Sequence, residues 1–365
     1  MAHGWNCACR TLGAAVLLSL PGSVSAQGQE WTSHILWSGP EKIQAVAVGD
    51  ADPRHPGIEA VAVTNIGTVY VGGLDQGRPW SDSVYRHGGN MTGLIVADVD
   101  PTIVGPEIYV GGGVVGEKGG EMVQLSLQNG AWRSRSIWRG PGFVHAIGLT
   151  TRGPSGAPVL IIPTYAGTLH ALAPGRSGEW RDSLVYRFAG ATDSADLTIK
   201  DLVVGRLGSY ESAVAFCTKG GSLALVDLDD PGRSQRLHRE NGGIARLSLS
   251  SNNAILASCN GGNLLRVHLT ETGWSVDTLF TETDQGRGVS AGRFRNGTTI
   301  YDVAIFGYPG YCRLLRNNGI GWDVHNVFRD TDKAHWMVSA DIIPGNDSEE
   351  LVMGGYSGRL ILLSR

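Results

Sequence analysis

The sequence predicts an all-β chain folded as a seven-bladed β-propeller, with each blade a four-stranded antiparallel sheet. Three observations carry this. A tryptophan-led phrase recurs at a pitch of about 48 residues, each copy follows three short apolar runs, and the chain ends are complementary parts of one unit.

The phrase is a Trp, a few polar residues and an aliphatic–aromatic pair. It reads WTSHILW from Trp31, WSDSVY from Trp80, WRSRSIW from Trp132, WRDSLVY from Trp180, WSVDTLF from Trp274 and WDVHNVF from Trp322. Successive tryptophans lie 49, 52, 48, 94 and 48 residues apart. The double interval contains SQRLH near Ser234, a copy without its Trp, which makes seven.

Each copy is preceded by a Gly-led alternation such as TVYVG after Gly67, TLHAL after Gly167 or RLILL after Gly358. Two earlier runs complete the unit, as in AVAVGD from Ala45 and EAVAVT from Glu59. Alternation of period two between Gly, Asp, Asn and Pro turns reads as strand, and no segment sustains a 3.6-residue spacing, so helix should be nearly absent. Four strands in this length match one propeller blade. The chain after its leader opens on a fourth-strand phrase, Trp31 to Trp37, and closes on WMVSAD, EELVMGG and GRLILLS, three strands lacking a fourth. The first strand is therefore expected to complete the last blade, which removes two open edges.

Residues 1–26 read as a secretory signal: Arg10, an apolar stretch Leu12–Leu20, breakers Pro21 and Gly22, and small residues Val24, Ser25 and Ala26 before Gln27. The apolar stretch is too short to span a bilayer. Residues 27–365 are expected to form one propeller domain, secreted or periplasmic, without a transmembrane segment and monomeric. The formal charge of −4 comes with no basic block, so nucleic acid is not an expected partner. Past the signal stand Cys217, Cys259 and Cys312, too few and too widely spaced for a disulfide framework or a zinc site. Asn90, Asn296 and Asn346 begin N-x-S/T triplets.

Three units share a turn between their first and second strands: Asp50, Asp52, Pro53 and Glu59; Asp98, Asp100, Pro101 and Glu107; and Asp341, Pro344 and Glu350. Asp can accept turn amides, Pro fixes φ, and Glu restarts the strand. GDADPRHPGIEAVAV and ADVDPTIVGPEIYVGG resemble the strand–loop–strand unit of FG-GAP or VCBS-type repeats, found in integrin-α-like propellers. The resemblance implies calcium at such loops, with Asp50, Asp52 and Glu59, and Asp98, Asp100 and Glu107, as ligands. Here Arg54 and Thr102 occupy the third acidic position and the last carboxylate comes one residue late, so turn stabilisation is the favoured reading and no cofactor is required.

Aligning the innermost strands brings Gln44, Thr92, His145, Lys200, Ala245, Arg287 and His335 to one position, with Arg246 and Trp336 adjacent. In a propeller these positions ring the mouth of the central channel, where loops meet over a rigid scaffold. Gln44, Thr92, His145, Lys200, Arg287 and His335 are the expected ligand-binding set. A ring of lysine, arginine and histidine would favour an anionic or polar hydroxylated ligand; the alternative, and the favoured reading, is a solvated rim, because channel mouths are wet and polar residues there need no ligand. The recurring Trp residues are expected to pack between blades, since their address is fixed; exposed tryptophans would instead suit a lectin.

No nucleophile elbow, metalloprotease helix or phosphate loop is present. The expectation is a non-catalytic module that binds a protein or carbohydrate partner. The rival is a lyase or hydrolase acting on a polyanionic sugar through the His/Lys/Arg cluster. The rival requires a carboxylate or Tyr bonded to His145 or His335 in a deep pocket.

Overall fold

The computed structural model describes residues 31–114, 116–152, 156–188, 194–250, 252–295 and 299–365. The leader 1–26 and Asn296 lie outside them. Among the described residues, twenty-eight strands form seven antiparallel sheets of four, six of them in sequential order and the seventh joining the last three strands to the first.

Blade 1 holds Ile43–Gly49, Glu59–Thr64, Thr68–Asp75 and Arg78–Arg86, and blade 2 holds Met91–Ala97, Glu107–Gly113, Gly120–Gln128 and Ala131–Gly140. Blade 3 holds Gly148–Arg152, Ala157–Pro163, Thr168–Pro174 and Trp180–Arg187, and blade 4 holds Ile199–Leu207, Tyr210–Thr218, Ser222–Asp227 and Ser234–Arg239. Blade 5 runs through Ile244–Leu249, Ile255–Cys259, Asn263–Thr270 and Gly273–Thr281. Blade 6 runs through Gly286–Gly292, Asp302–Gly307, Tyr311–Asn317 and Trp322–Arg329. Blade 7 joins Ala334–Ala340, Glu350–Gly355 and Arg359–Ser364 to the first strand of the chain, Thr32–Ser38. That last pairing aligns Thr32 with Ser364 and Ser38 with Arg359, so the ring closes as the chain ends predict. Among the described residues, helix is confined to the single turn Ser194–Leu197.

Second and third strands carry the apolar core, as in Glu59–Thr64 and Ser222–Asp227, which are buried throughout. Seven apolar clusters result, each spanning one pair of adjacent blades. A blade thus buries its two faces on its neighbours rather than on a common centre, which is why so long a chain forms one domain. The six recurring tryptophans are half-buried against these clusters, Trp274 against that of blades 4 and 5 and Trp31 against that of blades 6 and 7. They join neighbouring blades, as their fixed address predicts. Cys217, Cys259 and Cys312 are buried thiols, pushed above the ordinary cysteine value by burial.

Candidate functional site at the channel mouth

Six of the seven first strands carry a register shift near their start: between Ile43 and Ala45, Met91 and Gly93, Ile199 and Asp201, Ile244 and Arg246, Gly286 and Gly288, and Ala334 and Trp336. The skipped residues are Gln44, Thr92, Lys200, Ala245, Arg287 and His335. A bulge leaves one residue unpaired and re-aims its neighbours, a device common next to binding sites. In blade 3 His145 stands between the isolated bridge Val144–Thr164 and the strand Gly148–Arg152. Every expected mouth residue therefore occupies the same irregularity of its blade.

The side chains divide into two linked groups. Lys200 Nζ donates to Tyr165 Oη at 3.0 Å and lies 3.2 Å from His145 Nε2. His335 Nδ1 donates to the Gln44 carbonyl at 2.6 Å, and Arg246 Nη2 lies 3.5 Å from the same nitrogen. The Arg246 guanidinium covers the Trp336 ring at 4.0 Å, and the His145 and Trp336 rings stack at 6.1 Å. Arg287 donates to Gln285 at 2.7 Å and lies over Tyr308. Thr92 is buried and donates to the Val144 carbonyl, so it braces the wall of the mouth.

Trp336 is the centre of this arrangement. It packs against the apolar clusters of blades 1 and 2, of blades 3 and 4, and of blades 7 and 1, so it crosses the axis. Beyond it a cavity of about 500 Å³ follows the channel, lined by aliphatic side chains such as Val48, Ile147 and Val338 and by the polar Asp201, Ser290 and Ser339. Trp336 lines this cavity as well as the mouth and so stands between the two.

Burial governs the electrostatics. His145 and His335 are held well below the ordinary histidine value by burial first and by neighbouring cations second. Burial, with Arg246 nearby, brings Lys200 down to about 8, and burial raises Tyr165 to about 12. Asp201, its carboxylate oxygens accepting the Leu202 and Leu247 amides, is raised by burial to about 6. Three buried nitrogens around the mouth have no partner: His145 Nδ1, Arg246 Nε and Arg287 Nε.

Two features escape an alignment of first strands alone. Ala245 is buried and contributes only a carbonyl, while the following bulge neighbour Arg246 fills the mouth. The hairpins between second and third strands add Tyr165, Tyr308 and Tyr356, each two residues before a glycine at positive φ. At Gly358 a Cβ would run into the Gly39 carbonyl, so the turn that presents Tyr356 requires glycine. Each tyrosine meets a cation: Lys200 at Tyr165, Lys333 and Arg287 at Tyr308, Lys42 at Tyr356. The recurring Tyr-x-Gly triplet was the available signal.

The aspartate turns lie away from the mouth, between first and second strands. Asp52 is bound by Arg54 through Nε at 2.8 Å and Nη2 at 2.5 Å, and Asp100 by Arg135 at 2.5 Å and by the Thr102 hydroxyl at 2.7 Å. Glu59 accepts the amides of Ala51 and Asp52, Glu107 that of Val99, and Glu350 those of Ile342 and Ile343. Asp50 and Asp98 are exposed. Calcium takes six to eight oxygen ligands, and carboxylates already filled by guanidinium and backbone amides do not fit that demand. Among the described residues no three His, Cys, Asp or Glu side chains converge as metal ligands.

No protein family and no curated protein matches the sequence. Solved structures match its fold. Virginiamycin B lyase from Staphylococcus aureus superposes with a TM-score of 0.60 at 10% identity, over 92% of this chain and 99% of that one. The WD40 propeller domain of Doa1 gives 0.60 at 14% identity, over 92% and 97%. A BBS1 N-terminal domain in complex with ARL6 gives 0.62 at 10%, over 92% and 96%. At such identities the likeness is one of fold alone.

Proposed function

We propose that the chain is an exported, non-catalytic binding module whose channel mouth takes an anionic ligand, with an acidic carbohydrate as the class that fits best. One observation carries the reading. All the lysines of the chain, Lys42, Lys118, Lys200, Lys219 and Lys333, stand at starts of first strands or in second-to-third-strand hairpins, hence on the mouth face. Among the described residues none of them forms an ion pair, nor does Arg246 or Arg287, whereas arginines elsewhere hold carboxylates, as Arg54, Arg135, Arg233 and Arg295 do. Cations without a close carboxylate partner, gathered on one face, favour an anion there. The tyrosine rings and hydroxyls beside them suit a sugar, which presents both apolar faces and hydroxyl groups.

Export rests on the leader Arg10 to Ala26, which supports a secreted or periplasmic setting. A protein partner with an acidic surface would use the same cations, and BBS1 and ARL6 form a complex of that general kind, a propeller with a protein. Among the described residues no helix is long and apolar enough to cross a membrane.

The rival reading, a lyase or hydrolase on a polyanionic sugar, draws on the Tyr165–Lys200–His145 contacts. Among the described residues neither histidine is bonded to a carboxylate or tyrosine: the partners are the Lys200 amine and the Gln44 carbonyl. The test is a panel of acidic and neutral glycans measured by calorimetry on wild type and a Lys200→Ala/Arg287→Ala double variant. Acidic glycans should bind to wild type, more weakly at high salt, and lose most of their affinity to the variant. Equal binding by both proteins defeats the proposal; new reducing ends or unsaturated sugars would favour the enzyme.

A further inference from the structure

We propose that Lys200 is a nucleophilic amine that captures a small carbonyl compound bearing a carboxylate, an aldehyde acid or 2-oxo acid, as a Schiff base at the channel mouth. This deepens the anion-binding reading and rests on it.

The geometry supplies each requirement. The Lys200 amine touches a hydroxyl and an imidazole, Tyr165 Oη and His145 Nε2, and no carboxylate that would hold it as an ammonium ion. It sits on a bulge between Ile199 and Asp201, half-buried, with its blade neighbours fixing its approach. The charged groups acting on it are mostly cations, Arg246, Arg287 and Lys219, and the adjacent Asp201 spends its oxygens on backbone amides. A desolvated lysine beside other cations keeps a lone pair near neutral pH, which is how amine nucleophiles are activated. The same arginines offer a seat for the carboxylate of the incoming compound.

The step balances without any oxidant or reductant. The Nζ lone pair attacks the carbonyl carbon and a C–N bond forms, giving a carbinolamine as the oxygen takes up a proton. Tyr165, hydrogen-bonded to Nζ, is placed to relay that proton. The second proton of the amine follows, the C–O bond breaks, water leaves, and the C=N bond remains. Water reverses the capture.

The other four lysines are exposed and serve as internal controls. Wild-type protein is treated with glyoxylate and cyanoborohydride near neutral pH, and the carboxymethyl-lysines are located by peptide mapping. Lys200 should be labelled about tenfold faster than each of the others, because burial beside other cations brings its amine down to about 8 and leaves it unprotonated more often. Tyr165→Phe should slow the labelling of Lys200 by about threefold, so that Lys200 is still labelled faster than each of the other four, since the fold and the cations remain. Labelling spread evenly over the five lysines overturns the inference. If that happens while acidic glycans still bind and the Lys200→Ala/Arg287→Ala protein still loses them, the capture falls and the binding reading survives. If binding fails as well, both fall.

Discussion

The guanidinium carbon of Arg246 lies 4.0 Å from the centre of the Trp336 ring, and this pair closes the axis of the propeller. Arg246 comes from blade 5 and Trp336 from blade 7, so the contact ties strands that share no sheet. A buried arginine without a carboxylate partner is costly unless something spreads its charge, and an aromatic face does so at a desolvated site.

Trp336→Ala should therefore cost more than the loss of one half-buried ring. The indole packs against three separate apolar clusters, and its removal would connect the mouth to the 500 Å³ channel beyond. A loss of about 3–5 kcal/mol is expected from large-to-small substitution at such a site, read from the urea midpoint. A change below about 1 kcal/mol would mean that Trp336 is a lid on the mouth and not a plug in the ring.

Glu107 predicts a pH dependence of known sign. Burial raises its carboxyl to about 7 in the folded protein, against about 4.3 in an unfolded chain. Between those values the folded state holds a proton that the unfolded state has released. Its stabilising contribution is full below the lower value and is lost as pH rises through 7. Glu107→Gln cannot titrate, so the stability difference between wild type and variant should shift against wild type by about 1–3 kcal/mol from pH 4.5 to pH 7.5. The comparison is needed because the buried histidines slope the other way, losing stability as pH falls below about 6.5. Parallel pH profiles for the two proteins would contradict the assignment.

How much of this was legible in the sequence follows from what each residue does. Trp31 to Trp322 announced the blades because each performs the same packing task once per repeat, and repetition is visible without structure. The complementary ends announced closure for the same reason, and Thr32 does pair with Ser364. At the mouth, aligning first strands reaches the level of the bulge, which gives each of six blades one out-of-register residue at one address. The choice between Ala245 and Arg246 lay below that level: a bulge moves a side chain by one position, and spacing cannot say which neighbour turns inward. Tyr165, Tyr308 and Tyr356 were missed because they belong to a different strand end, which the fold brings beside Lys200, Arg287 and Lys42 respectively. The resemblance to calcium-binding repeats located the turns, but the replacement of an acidic position by Arg54 changed what holds Asp52.

That replacement makes a prediction about metal removal. The Asp100 carboxylate is held by Arg135, Thr102 and Gln124 together, and Arg135 also donates to the Gly178 carbonyl of the next blade. The guanidinium thus takes up an Asp100 oxygen that a calcium ion would otherwise need. A chelator should leave the melting temperature unchanged, while Arg135→Ala should lower stability by about 1–3 kcal/mol because a buried carboxylate loses its partner. A chelator-sensitive melt restored by calcium would show that the turns bind the ion in spite of Arg54 and Arg135.

The closing strand is the last point at which sequence order and structure can be separated experimentally. Thr32–Ser38 is the outer strand of blade 7, pairing with Arg359–Ser364, and Leu36 is buried in the cluster of blades 7 and 1. Starting the chain at Gly39 would leave the apolar strand Leu360–Leu363 with an unpaired edge, and such edges recruit other chains. The truncated protein should aggregate or form oligomers by light scattering where the chain starting at Gln27 does not. Adding a synthetic peptide of residues 31–38 should restore part of the soluble fraction, because the groove between blades 6 and 7 that receives Trp31 remains formed by Phe294 and its neighbours. If the truncated chain stays monomeric and melts like the longer one, ring closure does not depend on this strand, and the stability of the propeller lies in the seven interfaces between blades alone.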